Sequence, residues 1–283
     1  MKTSTDVLNQ IISFAVQHDS IRLVLLNGSR VNPHILPDEF SDYDVIFAVD
    51  SYQSFIDDLS WIAFFGNLLI HQLNYCTENT IEFPIFLLQY RDGVRIDVTY
   101  YPVAEIDYKL QDSLTRVLLD KDLRITDLDE PSDRSYWIKQ PPEAEYYRIV
   151  NEFWWCIITV GKGIARKELC YAKYMYESIV RECFLKIVSW YCGYEHGWKI
   201  NIGKYGRFVQ KNIPGELWER IKRTYNGTDD QGFWESIYQL CHIVIELESY
   251  LSKALGYPES QENGREVIGF LKSLEERPAQ NSV

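Results

Sequence analysis

Apolar residues near the start of the chain recur at helical spacing. Val7, Leu8, Ile11, Ile12, Ala15 and Val16 predict an amphipathic helix over 5–18. The pattern then changes to an almost unbroken apolar run, Ile21 to Leu26, the signature of a strand covered on both faces. It ends at Asn27-Gly28-Ser29-Arg30, and after a Pro-containing loop Tyr43 to Val49 forms a second such run. Residues 54–66 read as a further helix and 68–73 as a third, short strand. Residues 84–91 and 94–101 flank Asp92-Gly93, which predicts a hairpin closed by a two-residue type I′ turn. From about residue 131 the texture is different. Pro131, Pro141 and Pro142 punctuate the chain, and then 143–160, 165–191, 215–225 and 232–255 all show helical periodicity. The expected architecture is therefore α+β: a mixed sheet with helices over residues 1–135 and an all-helical bundle over 136–283. No internal repeat or low-complexity tract interrupts it.

Charge narrows the partners. A formal net charge of −12 repels a phosphate backbone, so a nucleic-acid partner is disfavoured and a cationic small molecule favoured. The six cysteines show no CxxC pair and sit mostly in apolar helical patterns, which points to free thiols and a reducing, cytoplasmic setting. No stretch has the roughly 18 unbroken apolar residues of a membrane span, so no membrane partner is expected. The oligomeric state stays open, with a monomer the simpler expectation.

The chemistry lies in Gly28-Ser29-Arg30, then Asp42-Tyr43-Asp44, then Asp97. Glycine after a strand lets the backbone approach a ligand, and backbone N–H groups with the Ser29 hydroxyl suit phosphate oxygens. Arg30 adds charge there, or else pairs with a carboxylate. Asp42 and Asp44, two apart on a strand, share one face. Carboxylates so close repel one another, and a divalent cation such as Mg²⁺ removes that penalty. Asp97 lies out of phase with Ile96, Val98 and Tyr100 and so can join the same face as a third metal ligand. Alone, a Gly-Ser is a turn and an Asp-x-Asp a solvated strand end. In this order they form the layout for in-line phosphoryl or nucleotidyl transfer.

Three residues of the helical half are secondary candidates. Glu152 is a general base for an acceptor hydroxyl or an anchor for a substrate cation, against the plainer role of a helix salt bridge. Of the neighbours Trp154 and Trp155, at most one can leave the core; core for both is the expectation, and Trp155 is the candidate to stack on substrate if one is free. Lys204, in Gly203-Lys-Tyr-Gly206-Arg207, could hold departing pyrophosphate or simply sit in a helix-ending loop. The five histidines form no ligand cluster.

With these residues in place, the chain resembles the nucleotidyltransferase superfamily that includes DNA polymerase beta. More narrowly it resembles the aminoglycoside 6-adenylyltransferases, also called streptomycin adenylyltransferases. The narrower resemblance runs through Val117-Leu-Leu-Asp-Lys-Asp122, Tyr136-Trp-Ile-Lys139, Asn151-Glu-Phe-Trp-Trp155, Lys162-Gly163, Ala172-Lys173 and the Gly203–Arg207 segment. It implies a polymerase-beta-like catalytic domain and Mg²⁺-dependent transfer of AMP from ATP to an aminoglycoside hydroxyl, an antibiotic-resistance activity. It also implies metal at Asp42 and Asp44, triphosphate at Gly28 and Ser29, and Asp97 completing the acidic site. Another small-molecule or protein acceptor, or an idle nucleotide-binding sensor, are the competing expectations.

Overall fold

A computed structural model describes residues 2–225, 229–258 and 264–277. Its contacts divide the chain into two compact units, Met1–Ser135 and Tyr136–Val283. In the first, helix α1 (Ser4–Gln17) opens with a capping box in which Thr3 and Asp6 satisfy each other's backbone N–H groups. Six strands follow: β1 (Ile21–Asn27), β2 (Tyr43–Val49), β3 (Leu68–Glu78), β4 (Ile81–Tyr90), β5 (Arg95–Pro102) and β6 (Thr115–Asp120). They form one sheet in the order β3-β4-β5-β2-β1-β6. The β2–β5 pair is parallel and all the others are antiparallel, so the architecture is a mixed α+β sheet.

The apolar runs of β1 and β2 are explained by cover on both faces. Val24, Leu26, Val45 and Phe47 join Val7, Ile11 and Phe14 of α1 in one core. Leu23, Leu25, Ile46 and Ala48 join Phe83, Tyr101 and Ile106 in another. A strand with water on one side would alternate; these do not.

Several sequence expectations change in detail. The helix expected over 54–66 is split into α2 (Gln53–Asp57) and a 3-10 stretch, Leu59–Phe65. Asp58 causes the break: its backbone is extended and its carboxylate accepts from the Ser60 N–H at 2.8 Å, an arrangement that competes with a continuous helix. The hairpin forms, but around three residues, Arg91-Asp92-Gly93. Tyr90 N–H donates to Val94 O at 2.8 Å, and only the glycine of the Asp92-Gly93 pair has positive φ, +91°. A type I′ turn needs positive φ at both positions, and Asp92 does not take it. The third strand runs on to Glu78, and β6, an edge strand, was not foreseen.

The second unit contains α3 (Glu143–Ala165), α4 (Leu169–Tyr174), α5 (Arg181–Glu195), α6 (Gly215–Arg223), α7 (Asp230–Leu255) and α8 (Gly264–Glu275). The helix expected over 165–191 starts only at Leu169, after Lys167 takes φ +62°, and passes through a π-helical turn at Met175–Val180. Tyr146, Phe153, Ile157, Phe184, Ile237 and Leu240 are among the residues of its single core. Among the described residues no helix is long and apolar enough to cross a membrane.

Candidate active site

The sheet register brings the acids together. Asn27 at the end of β1 stands opposite Asp44 on β2, and Asp44 stands opposite Asp97 on β5. Asp42 immediately precedes β2, two residues before Asp44. Three neighbouring strands thus deliver Asn27, Asp44 and Asp97 to one end of the sheet.

Gly28 has φ +76° and lies so close to Asp44 that a Cβ at this position would run into the carboxylate. Both the backbone conformation and the close approach therefore require glycine. Its N–H donates to Leu114 O at 3.2 Å, so that donor is committed within the protein. The Ser29 hydroxyl makes no hydrogen bond among the described residues and stands in the short turn Gly28–Val31. Asn27 Nδ2 donates to Thr115 Oγ1 at 2.9 Å, while its Oδ1 is buried without a partner.

Arg30 is engaged otherwise than the sequence suggested. Its Nε donates to Asp42 O at 3.0 Å, its Nη2 to Ser41 O at 2.6 Å and its Nη1 to Ser4 Oγ at 3.4 Å. The guanidinium also lies 3.6 Å from the centre of the Tyr43 ring. These bonds hold the chain leading into β2 and leave the carboxylates to another cation.

That cation is Arg95, which the sequence reading passed over. It grips Asp97 in bidentate fashion, Nε to Oδ1 at 2.9 Å and Nη2 to Oδ2 at 2.8 Å, and its Nη1 stands 3.5 Å from Asp42 Oδ2. The signal was available: Arg95 precedes Asp97 by two on a strand, so both point to the same face. Asp44 has no ion pair among the described residues. Burial first, and then the charges of Asp97 and Asp42, push its carboxyl up to about 6, with Arg95 and Arg30 only partly offsetting them. Among the described residues no three carboxylate, imidazole or thiol groups form a ready metal-binding group as the side chains stand. The donor chemistry nevertheless fits a hard divalent cation: the groups are carboxylates, they repel one another, and Asp44 lies against a glycine cradle.

In the helical unit, Glu152 and Trp155 lie three residues apart on α3. Glu152 is half-buried and accepts from the Cys156 thiol at 3.3 Å. Burial and this carboxylate push Cys156 up to about 12, and burial with the Glu152 charge pushes Cys183 to about 11. The two tryptophans part company. Trp154 is core, its Nε1 donating to Glu248 Oε2 at 3.2 Å, whereas Trp155 is 71% exposed, so the expectation of core for both is corrected. Lys204 is exposed in the short turn Lys204–Gly206, its ammonium 5.1 Å from the Tyr205 ring centre. The first unit thus gathers Gly28, Ser29, Arg30, Asp42, Asp44 and Asp97; Glu152 and Trp155 share a helix, and Lys204 stands on a separate turn.

A family profile described as streptomycin adenylyltransferase matches residues 1–274. An aminoglycoside 6-adenylyltransferase of Campylobacter jejuni is 36% identical over 264 residues, covering 91% of each chain. One of Staphylococcus aureus is 30% identical over 278 residues, covering 93% of this chain and 96% of its own. Among solved structures, an aminoglycoside 6-adenyltransferase from Bacillus subtilis aligns over 98% of this chain and 100% of its own, at 25% identity and a TM-score of 0.49.

Proposed function

This chain belongs to the streptomycin adenylyltransferase family, and from that premise we propose that it transfers AMP from ATP to a hydroxyl of a streptomycin-like aminoglycoside, releasing pyrophosphate. The observation that supports this most is the cluster of Asp42, Asp44 and Asp97 at one sheet end, with Asp44 packed on Gly28 and pushed up to about 6. Arg95 compensates Asp97 and Asp42 within the fold, but Asp44 has no ion pair among the described residues, and a divalent cation would supply the missing countercharge. Mg²⁺ held by Asp42, Asp44 and Asp97 would supply charge neutralisation for the triphosphate and the leaving pyrophosphate.

The chain's own groups do the rest. Gly28 lets the Asp44 carboxylate pack against the end of β1 where the triphosphate would lie, and the Ser29 hydroxyl is free to donate to a phosphate oxygen. Arg30 fixes the approach to β2 so that Asp42 and Asp44 keep their spacing. The acceptor oxygen attacks the α-phosphorus, the bond to the bridging oxygen breaks, and pyrophosphate departs. We assign the hydroxyl proton to Glu152. Both Asp97 oxygens are already occupied by the Arg95 guanidinium, whereas Glu152 accepts from the Cys156 thiol through Oε1. Trp155 offers an exposed face for a guanidinium or sugar ring, and Lys204 an exposed charge for pyrophosphate. The net charge of −12 suits a cationic acceptor. We place the enzyme in the cytoplasm, supported by six cysteines that are all free thiols.

The test is pyrophosphate release from ATP, with Mg²⁺ supplied or chelated and with or without streptomycin. Release that needs both is the expected result. Release that persists under chelation would remove the metal from the reading; none with streptomycin would remove the acceptor.

A further inference from the structure

The acidic end of the sheet carries its own cation. Arg95 bonds both oxygens of Asp97 and stands 3.5 Å from Asp42, so one guanidinium bridges two of the three acids. The other guanidinium at this end, Arg30, is bonded to the Asp42 and Ser41 carbonyls and sits 3.6 Å from the Tyr43 ring centre. It therefore cannot take over the carboxylates without releasing the chain that leads into β2. The Arg95 side chain is 40% exposed, so its head can rotate into solvent while β5 stays in place.

We infer that Arg95 is a built-in counterion of this cluster, bridging Asp42 and Asp97 in the metal-free protein and releasing Asp42 when a divalent cation enters. The inference rests on the metal reading above and adds that Arg95 sets how tightly that metal is held. The physical reason is competition for the same oxygens. A cation bound to Asp42 Oδ2 would lie within a few ångströms of the guanidinium, where like charges repel strongly. Without Arg95, three carboxylates would face one another unscreened until metal arrived. Arg95 thus stabilises the empty site at the expense of metal affinity, and it acts through Asp42 and Asp97 as a positioning residue.

The experiment compares the wild-type chain with Arg95→Met and Arg95→Lys in two measurements. Thermal unfolding is followed with chelator and in Mg²⁺, and Mn²⁺ binding is followed by electron paramagnetic resonance with and without α,β-methylene-ATP. With chelator, Arg95→Met is expected to melt lower than wild type by about 2–4 °C, and Mg²⁺ is expected to close the gap. Its Mn²⁺ affinity is expected to rise about tenfold, the scale of a nearby like charge after solvent screening. Arg95→Lys, which keeps the charge but not the two-pronged grip, is expected to fall between, and it serves alone if the Met variant does not fold. Equal or weaker Mn²⁺ binding in the variants, or a melting deficit that Mg²⁺ leaves unchanged, would make Arg95 a simple structural brace and overturn the inference. If Mn²⁺ binds neither the wild type nor the variants, the metal reading itself falls. The two failures are thereby distinguishable.

Discussion

Buried polar groups are treated in opposite ways in the two units. In the helical unit, Arg181 is buried, yet its donors are used: Nη1 to Thr224 Oγ1 at 2.7 Å, Nη2 to Thr224 O at 2.8 Å, Nε to Glu177 at 3.3 Å. Its guanidinium carbon also lies 3.9 Å from the Tyr225 ring centre. Trp154 likewise finds Glu248. At the end of β1 and β2, Asn27 Oδ1 is buried without a partner and Asp44 is left to the repulsion of two other carboxylates. Matching spares the fold the free-energy cost of an unpartnered buried group, a cost the sheet unit also carries at the Tyr100 and Tyr101 hydroxyls. On the function proposed above, the groups left unmatched beside Gly28 are the ones a bound cation or nucleotide would match.

The contrast can be broken most sharply at Gly28. Valine there would clash with the Asp44 carboxylate and must take φ +76°, so adenylyl transfer is expected to fall by about 10²–10³-fold. Steady-state kinetics alongside a circular dichroism spectrum would show lost activity with the fold kept. Arg181→Met tests the other side. It removes the Arg181 donor from Thr224 Oγ1 and leaves Thr224 O with Tyr176 Oη alone, and is expected to cost about 2–3 kcal/mol in urea unfolding, while turnover per folded molecule holds.

Asp44→Asn should do the reverse of Arg181→Met and stabilise the metal-free protein. The Asp44 pKa is raised in the folded state, so the stability this group contributes is fully present below about pH 4, its unfolded value. That stability is lost as pH rises through about 6. Unfolding curves in chelator should therefore show the variant nearly level with wild type at pH 4 and ahead by about 3 kcal/mol at pH 7.5. A variant that is less stable at pH 7.5 would mean Asp44 is a matched group after all. The smallest effect is expected at Trp155, whose exposed ring leaves stability within about 0.5 kcal/mol on change to Ala. A fall in acceptor affinity in the same variant would place it on the substrate.

What was legible beforehand follows from the range of the forces involved. The double cover of β1 and β2 shows in their unbroken apolar runs, and Asp42 and Asp44 share a face by the strand period alone. Asp97 was legible for the same reason, its phase opposing that of Ile96 and Val98. The Arg95 bridge to Asp42 was not, because it depends on β5 lying parallel beside β2, which no local pattern records. Arg30 beside Gly-Ser reads as a phosphate ligand or a carboxylate partner, and its role as a brace shows only once the Ser41 and Asp42 carbonyls are seen around it. The three-residue turn at Arg91-Asp92-Gly93 was hidden by the Asp-Gly pair, which serves either loop length. Edge strand β6 is six residues bounded by charge, too short for its period to speak.

The most direct test of the central claim is the mass of streptomycin after incubation with ATP and Mg²⁺, using wild type and Asp44→Asn side by side. The expected result is a product heavier by one AMP residue with wild type and unmodified antibiotic with the variant, although the variant is expected to be the more stable protein in chelator. Equal adenylylation by both would contradict it, because the unmatched carboxylate would then have no part in the chemistry.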